Sequence, residues 1–553
     1  MTITEAPPIE EAASPPDRDP RRWLVLAVMS LGTLIVFIDL TVMNTALPSI
    51  SFDLGATTSQ LQWVVNSYVL ALAGLLLLAG SIGDRSGRRR WMTFGLVVFG
   101  AGSVVGALSP DIATLIAGRA LQGLGAAFVL PATLSIVTNI FERDERGKAI
   151  AIWTAVGGIG IGLGPAVGGY LVNQWGWSAA FWIHLPIIAV ALLGQVVVAE
   201  SRDPRHIGLD IPGAITATLG IVALVFGIIQ GSEEGWSDPL IVGSFAAAAV
   251  LLATFVAIER RVRYPMLPVR FFANRDFTGP TVLIGIIFFA GTVTFFFLTL
   301  FFQIVQGRDP FEAGLLILPT APAIVVASAL GPPLAKRFGP KRLVTTSIGL
   351  MAVAIAIFTQ LNADWSAVTE ISVIMFFGFA WGLGMPTLTD SIMASVPVED
   401  AGIGSAVNDV SRELGSALGV AIIGSFISSI YRANIDDRLT GEVDETVVEM
   451  AKDGIAVLAS NVPSLGDTGQ AAFAEASQAF IDAMNSGFWL NAAVLVGAAG
   501  IAAWLLPNKI KADQEQRAPT DDDSIEIARS DEPGTGDLPP PSKVGNRTER
   551  TRS

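Results

Sequence analysis

Residues Gly80 to Arg90 read GSIGDRSGRRR, a charged segment set between two apolar runs, Gln60 to Ala79 and Trp91 to Leu108. Each run is long enough, or nearly so, to cross the ~30 Å hydrocarbon core of a bilayer as a helix. The segment therefore joins two membrane spans through a turn carrying Asp84 and four arginines, Arg85, Arg88, Arg89 and Arg90. Short Arg- and Lys-rich loops stay on the cytoplasmic side, so this turn orients the chain on either side of it.

The composition agrees with a polytopic membrane protein. Hydrophobic residues make up 51% of the 553 residues and charged residues only 15%, against about 25% charged in soluble domains; mean hydropathy is +0.57. The net charge of −14 lies largely in outward loops and terminal tails, while Arg gathers in inward loops, so it signals no basic partner; no nucleic-acid partner is expected either. The absence of Cys excludes disulfides and thiol chemistry. The two His form no ligand-spaced cluster, so no metal site is expected. No phosphate-cradling Gly-x-x-x-x-Gly-Lys-Ser/Thr loop occurs, and no nucleophile–base constellation suggests an enzyme. No cofactor is expected, and active transport would draw on an ion gradient or a separate subunit.

Fourteen apolar spans follow one another at 23–50, 60–82, 91–108, 112–139, 149–172, 180–198, 211–230, 239–258, 278–302, 313–334, 342–360, 369–392, 401–430 and 487–506. The loops on one side carry the basic residues: Arg18, Arg21 and Arg22, the Arg85–Arg90 cluster, Arg143, Arg146 and Lys148, Arg202 and Arg205, the group from Arg260 to Arg275, and Lys336 to Arg342. The short loops of the other side hold one, Arg308; the inward loop at Glu399 and Asp400 lacks a basic residue and is the exception. The positive-inside rule then predicts both termini in the cytoplasm. Met1 to Pro20 is acidic, Pro-rich and without an apolar core, so it is no cleavable signal. Residues 1–22 and 507–553 read as disordered cytoplasmic tails. The long outward stretch from Tyr431 to Ser486 reads first as a solvated loop; helical extension above the membrane, or a cap over the outer entrance, is the alternative.

An internal repeat organises the spans. A shift of 252 residues lays PPLAKRFGPKR, Pro332 to Arg342, on Gly80 to Arg90: Arg85 meets Arg337, Gly87 meets Gly339, and Arg89 and Arg90 meet Lys341 and Arg342, whereas Asp84 becomes Lys336. Two six-span halves, 23–198 and 278–506, thus flank an extra pair, 211–258. Parallel repeats of this kind are an architecture of secondary transporters.

Charges within spans are costly, by a few kcal/mol even on lenient scales, and mark function. Asp39 lies in DLTVMNTALPSI, 16 residues past Trp23, or about 24 Å along the first helix. Arg119 lies in LIAGRALQGLGAAFVLP, eight residues past Asp111, about 12 Å from the outer end of the fourth span. Their depths match, so the two helices are expected to present them to one cavity. Burial disfavours an ionised carboxylate and a guanidinium favours it, which suits a proton-coupling site; a static pair that fixes helix register is the alternative. Glu413, beside Arg412 in NDVSRELGSALGVA, is a second candidate, with a local Arg–Glu pair equally open. Asp390 lies too near a helix end, and His184 reads as structural. Asn44, Trp63, Asn66, Tyr68, Gln122 and Trp153 are candidates for lining a cavity that holds greasy ligands, cationic ones included; interfacial anchoring is the alternative for the Trp and Tyr residues.

Four motifs in order carry a family resemblance. Gly80-x-x-x-Asp84-Arg85-x-Gly87-Arg88-Arg89 resembles the cytoplasmic signature loop of the major facilitator superfamily. The Asp39 and Arg119 segments resemble motifs of its first and fourth helices, and GGIGIGLGPAVGGYL, Gly157 to Leu171, resembles its antiporter motif. The whole is similar to the fourteen-helix drug:proton antiporters. The resemblance implies an all-α integral membrane fold of two six-helix bundles plus two extra helices. It implies that the loop latches the halves in the outward-open state, with Arg85 and Arg88 pairing across the cytoplasmic gap. It also implies that the fifth helix, with Gly157, Gly160, Gly164, Pro165, Gly168 and Gly169, forms a close-packed gate. The expected activity is proton-coupled export of amphiphilic, drug-like compounds by alternating access, from a monomer in the bacterial inner membrane whose partners are the bilayer, protons and the compound. Export of one endogenous metabolite or lipid, and a non-transporting sensor or scaffold, are the alternatives.

Overall fold

The computed structural model describes residues 19–202, 210–262, 265, 267, 269–362, 365–396 and 401–506; of the expected tails, 1–22 and 507–553, all but residues 19–22 lie outside them, and Arg22 already opens the first helix. Regular structure among the described residues is helical apart from one isolated bridge, Thr440 to Val443. Among the described residues fourteen helices are long and apolar enough to cross a membrane. The first half comprises α1 (Arg22–Leu54), α2 (Thr58–Ser86), α3 (Arg88–Ala107), α4 (Ile112–Ile140), α5 (Arg143–Trp175) and a sixth crossing built of α6 (Ala179–Trp182) and α7 (His184–Gly194). The inserted pair is α8 (Ile211–Glu234) and α9 (Pro239–Glu259). The second half runs through α10 (Arg275–Leu300), which continues as a π-turn to Val305, a crossing built of α11 (Pro310–Ile317) and α12 (Thr320–Phe338), then α13 (Pro340–Phe358), α14 (Ala367–Ala394) and α15 (Ala401–Leu439). A short α16 (Glu445–Asp453) precedes the last crossing, α17 (Ile455–Leu505).

The repeat seen in the sequence is a repeat of geometry. Gly87 ends α2 and opens α3 at φ +128°, and Gly339 does the same between α12 and α13 at φ +90°. At both turns the chain reverses through a conformation that L-residues avoid and glycine does not. Packing repeats as well: α3 and α2 lie on α4, and α1 on α5, as α13 and α12 lie on α14, and α10 on α15. The halves meet along two seams, α2 against α15 and α5 against α11. The inserted α8 lies on the first of these, touching both α2 and α15, while α9 packs on α8 and is otherwise largely exposed.

One expectation is corrected. The stretch 431–486 is not a solvated loop: α15 runs on to Leu439, α16 fills part of the connection, and α17 starts at Ile455, 32 residues before the expected start at 487, kinking at Gly466 (φ +58°). Its apolar residues make a small core of their own, with Val447, Val448, Ala451, Ile455 and Leu458 buried. Arg438 joins Glu475 (3.0 Å) and Asp482 (2.9 Å) across the hairpin, and Lys452 joins Asp436 (2.7 Å). Alternating apolar and acidic residues at helical spacing build this amphipathic hairpin, which lacks the unbroken apolarity by which a span is recognised.

Candidate functional site

Between the halves lies a cavity of about 1810 Å³, larger than the ~300–1,000 Å³ of ordinary ligand pockets. Its walls combine aromatic and aliphatic residues (Phe37, Trp153, Phe288, Phe295, Trp381) with hydroxyls and the amide of Asn44. At one end its lining reaches Asp84, Thr138, Asp210, Arg260 and Arg270, which stand at the helix ends of the Arg-rich face; the cavity opens there. At the other end it is closed by contacts between the halves. Gln303 of the π-turn donates to the Thr45 carbonyl (2.9 Å). Gly169 lies against Pro310, and Gly314 against Pro165, so closely that a Cβ on either glycine would overlap backbone. Gly424 of α15 lies on Gln62 of α2, with room for no Cβ beyond 2.7 Å from the amide nitrogen.

Asp39 and Arg119 meet, as their matching depths allow, but not in the cavity. Arg119 Nη1 donates to both Asp39 oxygens (2.8 and 2.7 Å) and to Gln122 Oε1 (2.8 Å), and its Nε donates to the Val64 carbonyl (3.1 Å). The guanidinium carbon lies 4.4 Å from the centre of the Tyr68 ring. Gln122 Nε2 donates to Ser103 Oγ (2.9 Å), and His184 Nε2 stands 3.6 Å from Asp39 Oδ1. Asp39, Tyr68, Gln122 and His184 are fully buried and Arg119 is 1% exposed. The expectation of a shared cavity is therefore corrected. Asp39 points from α1 to α4 inside the first half, while Leu40, Thr41 and Asn44 of the same helix face the cavity. His184, read as structural, belongs to this cluster.

The acids of the second half do face the cavity. Asp409, Arg412 and Glu413 of α15 all line it, with Ser416 one turn on. Arg412 lies 3.7 Å from Asp409 and stacks 4.6 Å from the centre of the Phe288 ring. Among the described residues Glu413 has no hydrogen bond or ion pair, so the local Arg412–Glu413 pair does not form; Arg412 turns to Asp409 instead. Asp409 stands in the same sequence segment, four residues before Glu413, the spacing that stacks two side chains on one helix face, and that spacing is the signal that marks it.

Of the six cavity candidates, Asn44 and Trp153 line the cavity, and Trp153 Nε1 donates to Thr133 (3.2 Å). Trp63, Asn66, Tyr68 and Gln122 do not: Tyr68 and Gln122 surround Arg119, Trp63 faces Phe226 of α8 with ring centres 6.2 Å apart, and Asn66 is sealed inside the protein. Single residues do not reveal which way a helix is rotated.

The signature loop is tied within its own half. Arg88 Nε donates to Asp84 Oδ1 (2.7 Å), and Ser135 Oγ donates to the same oxygen (3.2 Å). The anion at the start of α3 is Glu200, whose carboxylate accepts the backbone amides of Arg89 and Arg90 (3.1 and 3.2 Å), where helix amides and dipole favour negative charge. Arg85 is exposed and Arg88 pairs with Asp84, so neither reaches across the open mouth. Gly80 and Asp84 line the cavity.

The fifth helix shows two faces. Gly157, Gly160, Gly164 and Gly168 pack on Phe37, Ile38, Thr41 and Val42 of α1, with Thr41 Oγ1 donating to the Gly160 carbonyl (3.4 Å). Gly158, Gly162 and Pro165 line the cavity, and Gly169 seals against the second half. Outside the cavity, buried Glu370 of α14 holds Arg308 (2.7 Å) and Gln306 (2.5 Å) near the closed end. Among the described residues no group of His, Cys, Asp and Glu could hold a metal ion.

Two pseudo-symmetric six-helix halves around a central cavity, sealed at one end and open at the other, define a multi-pass membrane transporter rather than an enzyme. The chain belongs to the Major Facilitator Superfamily, whose sequence profile matches residues 29–420. It is 35% identical to the puromycin resistance protein of Streptomyces alboniger, over 80% of this chain and 89% of that one. It is 34% identical to the multidrug efflux pump LfrA of Mycolicibacterium smegmatis, over 87% of this chain and 96% of that one. In fold it is similar to a bacterial homolog of the human lysosomal transporter Spinster, with TM-score 0.64 and 18% identity, covering 87% of this chain and 98% of the other.

Proposed function

We propose that this protein exports amphiphilic, drug-like compounds, cationic ones among them, in exchange for protons. The observation that carries the reading is the acid pair Asp409 and Glu413 in the wall of a large aromatic-lined cavity, with Glu413 free of hydrogen bonds and ion pairs among the described residues. A carboxylate without hydrogen bond or ion pair, in a cavity wall shared with Phe288, Phe295 and Trp381, can hold a cation, and a proton competes for the same oxygens. Rings offer area and cation–π attraction without demanding one shape. Efflux and resistance proteins among the relatives point the same way. The Arg-rich face is the cytoplasmic one, both termini lie there, and the protein is a monomer of the bacterial inner membrane, open to the cytoplasm in this conformation. Asp39 and Arg119 serve coupling from behind the cavity wall, as a buried charge pair whose hydration changes when α1 and α4 shift. The Asp84–Arg88 loop acts as the latch of the outward-open state and is released here.

The test is efflux of a fluorescent cationic amphiphile, ethidium, from proteoliposomes with an imposed pH gradient. Glu413→Gln keeps size and hydrogen bonding but cannot exchange a proton. Gradient-driven ethidium export is expected to be lost, with folding and membrane insertion retained. Normal gradient-driven export by Glu413→Gln would remove Glu413 from the mechanism, and absence of any export by the parent chain would remove the proposed function.

A further inference from the structure

Over the half of α2 nearer the closed end the cavity is lined by Val65, Val69, Leu72 and Leu76, steps of four, three and four that keep one face of a helix turned to the cavity. Three residues back towards the closed end the same face carries Gln62, and three further back Ser59. Both are buried, as is Asn66, which follows Gln62 by one turn. All four polar atoms of the Gln62 and Asn66 amides, and the Ser59 hydroxyl, lack a hydrogen-bond partner among the described residues. The opposing helix behaves likewise: the α15 line of Arg412 and Ser416, both at the cavity, continues in steps of four to Val420 and Gly424, and Gly424 is the residue lying on Gln62. The cavity thus ends where the halves close on a carboxamide, and its two walls continue beyond the closure.

Buried polar groups in folded proteins are almost always paired, by protein, water or ligand. Amides that find no protein partner in the closed seam are built for a state in which something else occupies them. We propose that Gln62, flanked by Asn66 and Ser59, is the exit-side hydrogen-bonding subsite for the exported compound, exposed when the α2–α15 seam opens at the face opposite the Arg-rich one. Two carboxamides supply donors and acceptors but no charge, so the subsite takes neutral or cationic amphiphiles bearing a polar group. It releases them more readily than the charged acid pair in the cavity wall would. This inference rests on the export reading and adds to it the place where the compound stands before leaving.

The chain has no Cys, so a single thiol reports on one position. Gln62→Cys and, as the milder replacement, Ser59→Cys are exposed to a membrane-impermeant maleimide from outside intact cells, with and without ethidium. Labelling under an imposed pH gradient, slowed several-fold by ethidium, is expected. Gln62→Leu with Asn66→Leu supplies a second readout. Removing buried amides that have no protein partner should leave thermal stability unchanged or raised, whereas loss of two ligand hydrogen bonds should lower ethidium export by about fivefold or more. A merely structural role predicts the opposite pattern, lower stability with export per folded molecule retained. Parent-level ethidium export by the double leucine variant, or failure of both single-thiol variants to label while export continues, would overturn the inference. If the parent chain itself exports no ethidium, the export reading fails and the subsite with it, whereas labelling that ethidium leaves unchanged, in a chain that does export, overturns the subsite alone.

Discussion

At the scale of single residues the Asp39–Arg119 pair dominates. Removing one partner of a buried ion pair costs about 3–5 kcal/mol, because the other charge is left uncompensated, while replacing both with apolar residues of similar volume is often tolerated. Asp39→Asn and Arg119→Ala are each expected to lower thermal stability in detergent, and Arg119→Ala also frees the Gln122 and Val64 acceptors it satisfies. Asp39→Leu combined with Arg119→Met should recover much of that stability. If the pair serves coupling, the double variant folds and reaches the membrane yet shows no pH-gradient-driven ethidium export. Export restored along with stability would reduce the pair to a fixer of helix register. Both residues and their matching depth were legible in the sequence. Their orientation was not, since a rotation of α1 by one residue decides whether a side chain meets α4 or the cavity.

At the scale of elements, α5 joins its own half and seals against the other. Its glycines at 157, 160, 164 and 168 let it lie on α1, where close approach replaces the hydrophobic drive that lipid cannot provide. Gly169 performs a different task at the far end, against Pro310. Two substitutions separate these roles. Gly164→Val pushes into Thr41 and is expected to destabilise the first half, seen as lower expression and melting temperature. Gly169→Val breaks the seal while leaving the α1 contact whole, so it should shift the molecule towards the state open at that end. A thiol introduced in place of Gln62 would then label severalfold faster, without loss of folded protein. Equal destabilisation by both would mean that the two faces of α5 are not distinct. The antiporter-like motif announced this helix in the sequence, but the sorting of its glycines between the two faces required the partner helices.

At the scale of the whole molecule, the inserted pair makes the two seams unequal. Along the α2–α15 seam, α8 is bonded to both halves: Thr218 Oγ1 donates to the Gly74 carbonyl (3.0 Å) and Thr57 Oγ1 to Glu233 (3.2 Å) on the α2 side. On the α15 side Ser425 Oγ donates to the Ile228 carbonyl (2.8 Å), and Arg432 stands 3.5 Å from Glu233. The α5–α11 seam has no such strap among the described residues. Opening the closed end therefore shears α8 against one half, and Glu233→Gln, which loosens the strap, should speed labelling of a thiol introduced in place of Gln62. Slower or unchanged labelling would deny α8 this restraint. The topology is checked by placing thiols at Lys336 and Ser464 of the Cys-free chain. These should react from opposite sides of intact cells, and reaction from the same side would refute the fourteen-crossing arrangement.

The sequence by itself determined the crossings, their likeness across a 252-residue shift, the Gly87 and Gly339 turns and the matching depths of Asp39 and Arg119. These are properties of apolar length, charge asymmetry and depth along a helix, all of which are read from one segment at a time. It also marked Glu413. Only the tertiary structure decided that Asp39 stands behind the cavity while Asp409 and Glu413 stand in it, that Glu200 caps α3, and that the stretch 431–486 is a helical hairpin. It alone brought Gln62 to the point where the halves close. Each of these depends on how a helix is rotated about its axis and which neighbour covers it. In a membrane that rotation is chosen by close packing between helices rather than by an apolar stripe turned from water, because lipid leaves apolar residues on every side.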